Sequence, residues 1–366
     1  TIATVMQAQV TTSSMSGRVT DVDGAVIGAT VVATHTPSGT TYGTVTNMEG
    51  RYNLNGMRVG GPYTIVISYI GYSDNVTEGV TISLGANYSH NVVMQEETVA
   101  LGEVVVTALR TKFSTDKTGA VTNITNTQIA NLPTVSRSIM DITRLSPYGG
   151  NGMSFGGTDG RTANFTVDGA NFNNNFGLSD ALPGGGNPIS IEAIEEMQVV
   201  IAPYDVRQTN FIGGGVNAIT KSGTNTFKAS AYVYHRNENL RGDAVKGLQI
   251  DGAREKDRNT TYGFTLGGPI IKNKLFFFVN AEMAKTPTIV NRWRPSTNGV
   301  AVPDSYISRT TEGDLKRVSD FVRSEYGYET GSYTNFPADD SNNKLLARLD
   351  WNITNKHRLA LRYNYT

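Results

Sequence analysis

The sequence contains no cysteine among its 366 residues, and it has only 4 histidines and 2 tryptophans. The absence of cysteine excludes disulfide bonds, thiolate catalysis and cysteine-ligated metal sites. Charged residues make up 17% of the chain and the formal net charge is zero, whereas a nucleic-acid-binding protein needs a basic face. The composition therefore argues against nucleic acid as a partner.

Long apolar runs are also missing, since no stretch approaches the roughly 18 apolar residues of a membrane-spanning helix. A membrane β-barrel is not excluded, because its strands show only alternation over about 10 residues. Glycine (39) and tyrosine (17) are abundant, and with many Thr and Asn residues they suit strands and turns more than helices. We therefore predict a mainly β protein.

The first third of the chain contains short β-rich segments. Residues 1–9 are apolar and uncharged, typical either of the tail of a secretory signal peptide or of a flexible terminus. Over residues 13–95 the predicted strands are MSGRVTD, ATVVATH, TYGTVTN, GRYNLNG, YTIVISYIGY and NYSHNVVM. They are separated by turn signals such as Asp23-Gly24 and Glu49-Gly50, which predicts a small antiparallel β-sandwich. Residues 101–110, LGEVVVTALR, then form a β-branched run with no alternation and no evident partner in the chain. Considered by itself, the run is either a last strand of this first zone or a Val-rich linker.

A second zone, residues 111–225, is rich in Asn, Gly and Ser. Helical spacing is found in residues 126–132, 136–145 and 190–200, the last with Ala193, Ile194 and Met197 on one apolar face. The glycines at 213–215 precede a strand rather than a helix, so we reject a phosphate-binding loop. We predict a domain of mixed α and β structure.

Alternation dominates the third zone, residues 226–366. In LFFFVNAEM, KLLARLDWN and HRLALRYNY one face is apolar, and the other carries charged or amide side chains. A soluble sandwich with its apolar face inward would show the same pattern. However, long polar links at about 237–259 and 285–343 alternate with the short links PIIKNK and NITNK, as in outer-membrane barrels with long extracellular loops and short periplasmic turns. We therefore predict five strands of a transmembrane β-barrel.

Five strands cannot close a barrel, and an open sheet edge in lipid leaves backbone groups without partners. We therefore expect the sequence to be the N-terminal part of a longer protein, holding the first strands of a large antiparallel barrel.

Three motifs occur in order: FTVDG at 165–169, IEAIEEMQV at 191–199 and GGGVNAITKSG at 213–223. This succession resembles the plug of TonB-dependent outer-membrane receptors. Residues 13–95 resemble the carboxypeptidase-regulatory-like, transthyretin-like extension found ahead of some of these plugs. Within the family, residues 156–178 and LGGPIIKNKLFFF resemble the Oar-like branch.

The resemblance implies a plug at 111–225 that blocks a barrel in the outer membrane of a Gram-negative bacterium, with the N-terminal domain in the periplasm. It implies active transport of a polar ligand (an oligosaccharide, peptide or chelate) energised by TonB of the inner membrane, with no enzymatic activity and no cofactor. Partners would be TonB, outer-membrane lipid, the ligand and, in some branches, a surface lipoprotein. Residues matching the TonB box, which binds TonB, are Glu103, Val104, Val105, Val106, Thr107 and Ala108.

Two further groups of residues follow from this resemblance. Candidate ligand contacts, which mix amides with two aromatic rings, are Asn171, Phe172, Asn173, Asn174, Asn175 and Phe176. Candidate plug–barrel contacts are Arg161, Asp168, Lys221, Glu282, Arg348, Asp350 and Arg362. Three alternatives stay open at this point: export of a protein by an Oar-like barrel, a signalling receptor, and a surface adhesin or structural β protein.

Overall fold

A computed structural model describes most of the chain. The described residues are 10–97, 104–107, 120–132, 134, 137–173, 182, 187–203, 208, 211–240, 242, 244–245, 248–249, 258–289, 293–331, 337–354 and 357–366. The chain forms two compact units, which comprise Thr1–Ser230, Phe264–Ala281 and Lys344–Thr366 in the first and Ala231–Gly263 and Glu282–Asn343 in the second.

The N-terminal domain, in the first unit, is a sandwich of two sheets. Its strands are β1 (Ser13–Thr20), β2 (Thr30–His35), β3 (Thr40–Val45), β4 (Arg51–Met57), β5 (Gly60–Ser68), β6 (Asn75–Ile82), β7 (Asn87–Ser89) and β8 (Val92–Val93). One sheet has the order β4-β1-β7 with β8 also on β1, and the other begins β3-β2-β5-β6. The predicted sandwich is confirmed, but it is not antiparallel throughout, because β7 and β8 both pair with β1 in parallel.

Alternation explains the core of this domain. Met15, Tyr63, Ile65 and Ile67 are fully buried, and successive residues along a strand point to opposite faces of the sheet. Strand β6 was not predicted, since Glu78 and Gly79 interrupt its apolar pattern. Gly79 has a φ of +75°, a conformation that costs glycine little.

His35, at the end of β2, is a buried titratable group of this domain. Its Nδ1 lies 2.7 Å from Ser38 Oγ and its ring lies 5.1 Å from the ring of Tyr63. Burial is the larger cause and the positive charge of Arg58 the smaller one, and together they lower the pKa of His35 to about 4. The folded domain therefore favours the neutral imidazole.

We expect this pKa shift to make the domain sensitive to acid. The stability contributed by neutral His35 is fully present above its ordinary pKa of about 6.5 and is lost as the pH falls through about 4. The loss is about 3 kcal/mol at most. Calorimetry of the protein in detergent should therefore show a smaller stability loss from pH 7 to pH 4 in His35→Gln than in the wild type. Parallel pH profiles for the two proteins would contradict this expectation.

The second domain of the first unit, which we call the plug, is built on one five-stranded sheet. Its elements are β10 (Ala120–Thr125), α1 (Asn126–Asn131), α2 (Ile139–Thr143), β11 (Asn164–Val167), β12 (Ala170–Asn171), β13 (Ile194–Ile201) and β14 (Gly214–Thr220). The sheet order is β10-β13-β14-β11-β12. The helices predicted over 126–132 and 136–145 are confirmed as the short helices α1 and α2.

The helix predicted over 190–200 is wrong. Only Ile191–Ala193 forms a single 3₁₀ turn, in which Ser190 Oγ accepts a hydrogen bond from the Glu192 N–H, and the strand β13 follows. This strand lies between β10 and β14 and its residues Met197–Val200 are all buried. A strand buried on both faces loses its alternation, and the remaining apolar spacing resembles that of a helix.

The last zone forms the five predicted strands. They are β15 (Lys228–Arg236), β18 (Asn259–Ile271), β19 (Leu275–Ile289), β22 (Pro337–Asn352) and β23 (Arg358–Tyr365), in the order β15-β18-β19-β22-β23. The β22 and β23 strands are antiparallel and the link between them is short. We call these five strands the barrel strands.

Burial along strand β22 is inverted relative to a strand of a soluble protein. In β22 the charged Arg348 and Asp350 are buried, whereas Leu345, Leu349 and Trp351 are 38%, 40% and 46% exposed. A soluble sandwich would bury those apolar side chains, so that alternative is wrong. Polar-inside, apolar-outside alternation is typical of membrane barrels.

The long links between barrel strands contain further elements. They are β16 (Ala244–Val245), β17 (Leu248–Gln249), β20 (Arg294–Ser296), β21 (Ile307–Thr311) and α3 (Glu312–Tyr326). Helix α3 begins with a capping box between Thr311 and Asp314 and ends at Gly327, whose φ is +61°. The helices in the described part of the chain are all too short or too polar to cross a membrane.

Candidate functional site

The plug's VDG motif forms a tight turn that points a carboxylate at the barrel strands. Asp168 and Gly169 have φ values of +49° and +86°, and they join the antiparallel strands β11 and β12. The carboxylate accepts hydrogen bonds from the backbone N–H and the hydroxyl of Thr220, at the end of β14. Two of the three plug motifs therefore meet at one side chain.

Two arginines of the barrel strands bind this carboxylate. Arg362 Nε lies 3.1 Å from Asp168 Oδ2, and Arg348 Nη1 lies 3.7 Å from Asp168 Oδ1. Arg348 also donates to the Thr220 carbonyl at 2.6 Å and forms a bidentate pair with Asp350 at 2.8 and 3.0 Å. The side chains of Arg348, Asp168 and Asp350 are 8%, 3% and 6% exposed, so these charges are shielded from water.

The N-terminal domain adds a third arginine to this group. Arg58, between β4 and β5, lies 3.4 Å from Asp350 and donates to Ser222 Oγ at 3.1 Å. Its guanidinium also lies 5.7 Å from the centre of the Phe276 ring. We call Arg58, Asp168, Arg348, Asp350 and Arg362 the central ion cluster, and it joins the N-terminal domain, the plug and the barrel strands.

Two further contacts join the N-terminal domain to the short turn between β22 and β23. Asn352 Nδ2 donates to Thr40 Oγ1 at 3.0 Å, and Arg358 donates to the Thr41 carbonyl at 2.8 Å. The Arg358 guanidinium lies 4.0 Å above the Tyr42 ring. The domain thus sits at the end of the barrel strands where the short turns lie.

We expect Arg58→Ala to loosen this attachment. Loss of the ion pair with Asp350, whose two side chains are only 15% and 6% exposed, together with the hydrogen bond to Ser222 Oγ, should cost about 2 kcal/mol. Limited proteolysis should then release the N-terminal domain about 30-fold faster. Arg51→Ala is the matched control, because that arginine pairs with Glu49 while 69% exposed. Equal release rates in the two variants would contradict the expectation.

A buried polar contact joins the N-terminal domain to the plug. Glu196 of β13 accepts hydrogen bonds from the Leu84 N–H at 3.1 Å and from Asn123 Nδ2 at 2.6 Å. Gln198 Nε2 donates to the Leu84 carbonyl at 2.6 Å, and Leu84 itself packs against Val10 and Ile219. Burial raises the pKa of Glu196, although these hydrogen bonds act in the opposite direction.

A cavity of about 630 Å³ lies where the N-terminal domain, the plug and the barrel strands meet. Its lining includes Lys221 and Glu195 of the plug together with Arg58, Arg348 and Asp350. Burial lowers the pKa of Lys221 and raises that of Glu195, and each charge partly offsets the shift of the other. Among the described residues, no group of three or more His, Asp or Glu side chains is placed to hold a metal ion.

The structure brings together four of the seven residues for which plug–barrel contacts were predicted, namely Asp168, Arg348, Asp350 and Arg362. Of the others, Arg161 pairs with Asp159 at 2.6 Å within the plug, and Glu282 accepts a hydrogen bond from Tyr232 at 2.8 Å. Lys221 lines the cavity beside the cluster. Arg58 was not predicted from the sequence, because nothing in the residues around it shows that it contacts another domain.

The predicted ligand contacts lie partly outside the described residues, which include Asn171, Phe172 and Asn173 but not residues 174–176. Asn173 accepts a hydrogen bond from the Phe165 N–H and donates to Asn164. Phe172 packs against the plug core. The described contacts of Phe172 and Asn173 therefore lie within the plug.

The segment predicted as a TonB box is described only at its centre, with Glu103 and Ala108 outside the described residues. The expectation that this run has no partner in its own chain is wrong, and the alternative of a last strand of the first zone is confirmed. Residues 104–107 form strand β9 (Val104–Thr107), which pairs in parallel with β6 of the N-terminal domain. A β-branched run without alternation can pair through its backbone alone, and its sequence pattern does not identify the partner strand.

Comparison with known proteins is consistent with this division of the chain. Residues 14–95 match the carboxypeptidase regulatory-like domain, and residues 219–297 match an outer membrane beta barrel domain. The chain is similar to the TonB-dependent transporter Oar of Myxococcus xanthus, with 26% identity over 339 residues. The match covers 88% of this chain but only 30% of that relative.

Solved structures give more distant matches. The siderophore receptor PirA from Pseudomonas aeruginosa is 18% identical with a TM-score of 0.43, over 68% of this chain and 34% of that one. The outer membrane transporter YddB from Escherichia coli is 13% identical with a TM-score of 0.43, over 67% of this chain and 33% of that one.

Proposed function

Because the chain joins a carboxypeptidase regulatory-like domain to outer-membrane β-barrel strands, we propose that it is part of a TonB-dependent transporter. In this proposal it carries a polar ligand across the outer membrane of a Gram-negative bacterium and performs no chemistry on it. The N-terminal domain lies in the periplasm, at the end of the strands with the short turns. The central ion cluster is the observation that carries the proposal, because it holds a separate domain against the polar face of the barrel strands.

The cluster supplies a gate in this proposal. Ion pairs that are shielded from water hold the plug firmly in place, yet they exchange one partner for another without covalent change. A pull by TonB on residues 103–108 would move the plug until Asp168 leaves Arg348 and Arg362. The arginines would then line the open path and attract anionic groups of a passing ligand.

The ligand would first contact the plug through residues 171–176. The support for this is chemical, since amides hydrogen-bond polar groups and aromatic rings stack on sugars or peptides. Phe176→Ala should weaken uptake without reducing barrel assembly. Phe172→Ala should in addition destabilise the plug, because its ring packs against the plug core. Unchanged uptake in both variants would reject these residues as ligand contacts.

The proposal is tested by binding to the periplasmic domain of TonB. The full-length protein in detergent should be retained by immobilised TonB domain, and cell fractionation should place it in the outer membrane. A protein that fractionates with the soluble periplasm, or that does not bind the TonB domain, would reject the proposed function.

A further inference from the structure

Strand β9 occupies one edge of the second sheet of the N-terminal domain, whose full order is β3-β2-β5-β6-β9. The pairing with β6 is parallel and in continuous register. The paired residues are Asn75 with Val104, Val76 with Val105, Thr77 with Val106, and Glu78 with Thr107. The segment is therefore held as an extended strand by the domain that precedes it.

In this position β9 covers the edge of β6 and becomes the outermost described strand of the sheet. Without β9, strand β6 would end the sheet and leave a row of backbone groups without partners, a recognised site for strand addition. With β9 in place, that open edge moves outward by one strand. No other described strand lies beyond β9 in the sheet order, so its outer backbone groups face no described strand.

Resting on the proposed role of residues 103–108 in TonB binding, we propose that the N-terminal domain presents this segment to TonB. Strand β6 holds residues 104–107 extended, and a strand of TonB adds to their outer edge. The result is one continuous sheet in the order β6, β9 and the TonB strand. Strand addition gains its affinity from main-chain hydrogen bonds, which require an extended partner.

Presentation lowers the entropic cost of that binding. A free linker must be ordered when TonB binds, whereas a strand already held on β6 has been ordered in advance. The supporting sheet is itself fixed to the plug, because Glu196 and Gln198 hold the backbone of Leu84. The segment is therefore presented at a constant position beside the domain that it has to move.

A disulfide tests this arrangement directly, since the chain has no native cysteine. Glu78→Cys with Thr107→Cys joins an in-register pair, with Cα atoms about 5 Å apart, within disulfide reach. Glu78→Cys with Val104→Cys is the control, because Val104 pairs with Asn75 instead, three residues or about 10 Å from Thr107 along the strand. We expect rapid oxidation only in the in-register variant of the full-length protein.

TonB binding is then compared between the oxidised and reduced forms of the in-register variant. We expect the oxidised form to bind the TonB domain up to about tenfold more tightly than the reduced form, and never more weakly. Loss of binding on oxidation would overturn the proposal, because it would show that β6 hides the segment. Equal oxidation of both cysteine pairs would also overturn it. Failure of the wild-type protein to bind TonB would instead reject the proposed function.

Discussion

Replacement of Arg348 by Met should unseat the plug. Arg348 is buried and bridges Asp168 of the plug to Asp350 of its own strand, and it also donates to the Thr220 carbonyl. Removing one partner from a buried ion pair costs about 3–5 kcal/mol. We expect about 3 kcal/mol, the lower end, because Arg362 still binds Asp168 and Arg58 still binds Asp350.

A loss of about 3 kcal/mol raises the unseated fraction of the plug more than 100-fold. Cells carrying the full-length variant should therefore become sensitive to vancomycin, which an intact outer membrane excludes. The purified variant should show frequent openings in planar lipid bilayers. Arg317→Met is the control, because Arg317 pairs with Asp314 on α3 while 81% exposed. A closed, vancomycin-resistant Arg348→Met variant with normal membrane levels would show that the central ion cluster does not hold the plug.

Replacement of Val105 by Pro should abolish TonB-dependent uptake. Proline has no backbone N–H and fixes φ near −65°. Strand β9 spans only residues 104–107, so it loses one of its few backbone hydrogen-bond donors. Both the pairing with β6 and strand addition by TonB depend on the main chain. The change falls in a four-residue strand at the edge of its sheet, so we expect the other strands of the sandwich, the plug and the barrel strands to fold and the amount of protein in the outer membrane to be unchanged.

The control for this prediction is Val105→Thr, which keeps the β-branched shape and the backbone N–H. It should transport at the wild-type rate. Retention of full-length protein on immobilised TonB domain provides a second measurement, with binding expected for Val105→Thr and lost for Val105→Pro. Wild-type uptake by the proline variant would mean that residues 103–108 act only as a linker.

Much of the fold could be predicted because it depends on local patterns. Alternation in LFFFVNAEM and KLLARLDWN specifies strands with two different faces, and all five barrel strands are present. Turn signals such as Asp168-Gly169 specify where strands reverse. The prediction failed at residues 194–201, where burial on both faces removes the alternation, and at β6, where Glu78 and Gly79 interrupt it.

The sequence by itself therefore determined the mainly β character, the positions of most strands and the long–short rhythm of their connections, because each follows from neighbours in the chain. Only the tertiary structure decided which face of the barrel strands is buried, since alternation is the same in a soluble sandwich and a membrane barrel. It also decided the contacts between residues distant in sequence. Arg58, Asp168 and Arg348 share one cluster, and the VVVT run lies on β6. Such contacts depend on three-dimensional packing, which local sequence periodicity does not specify.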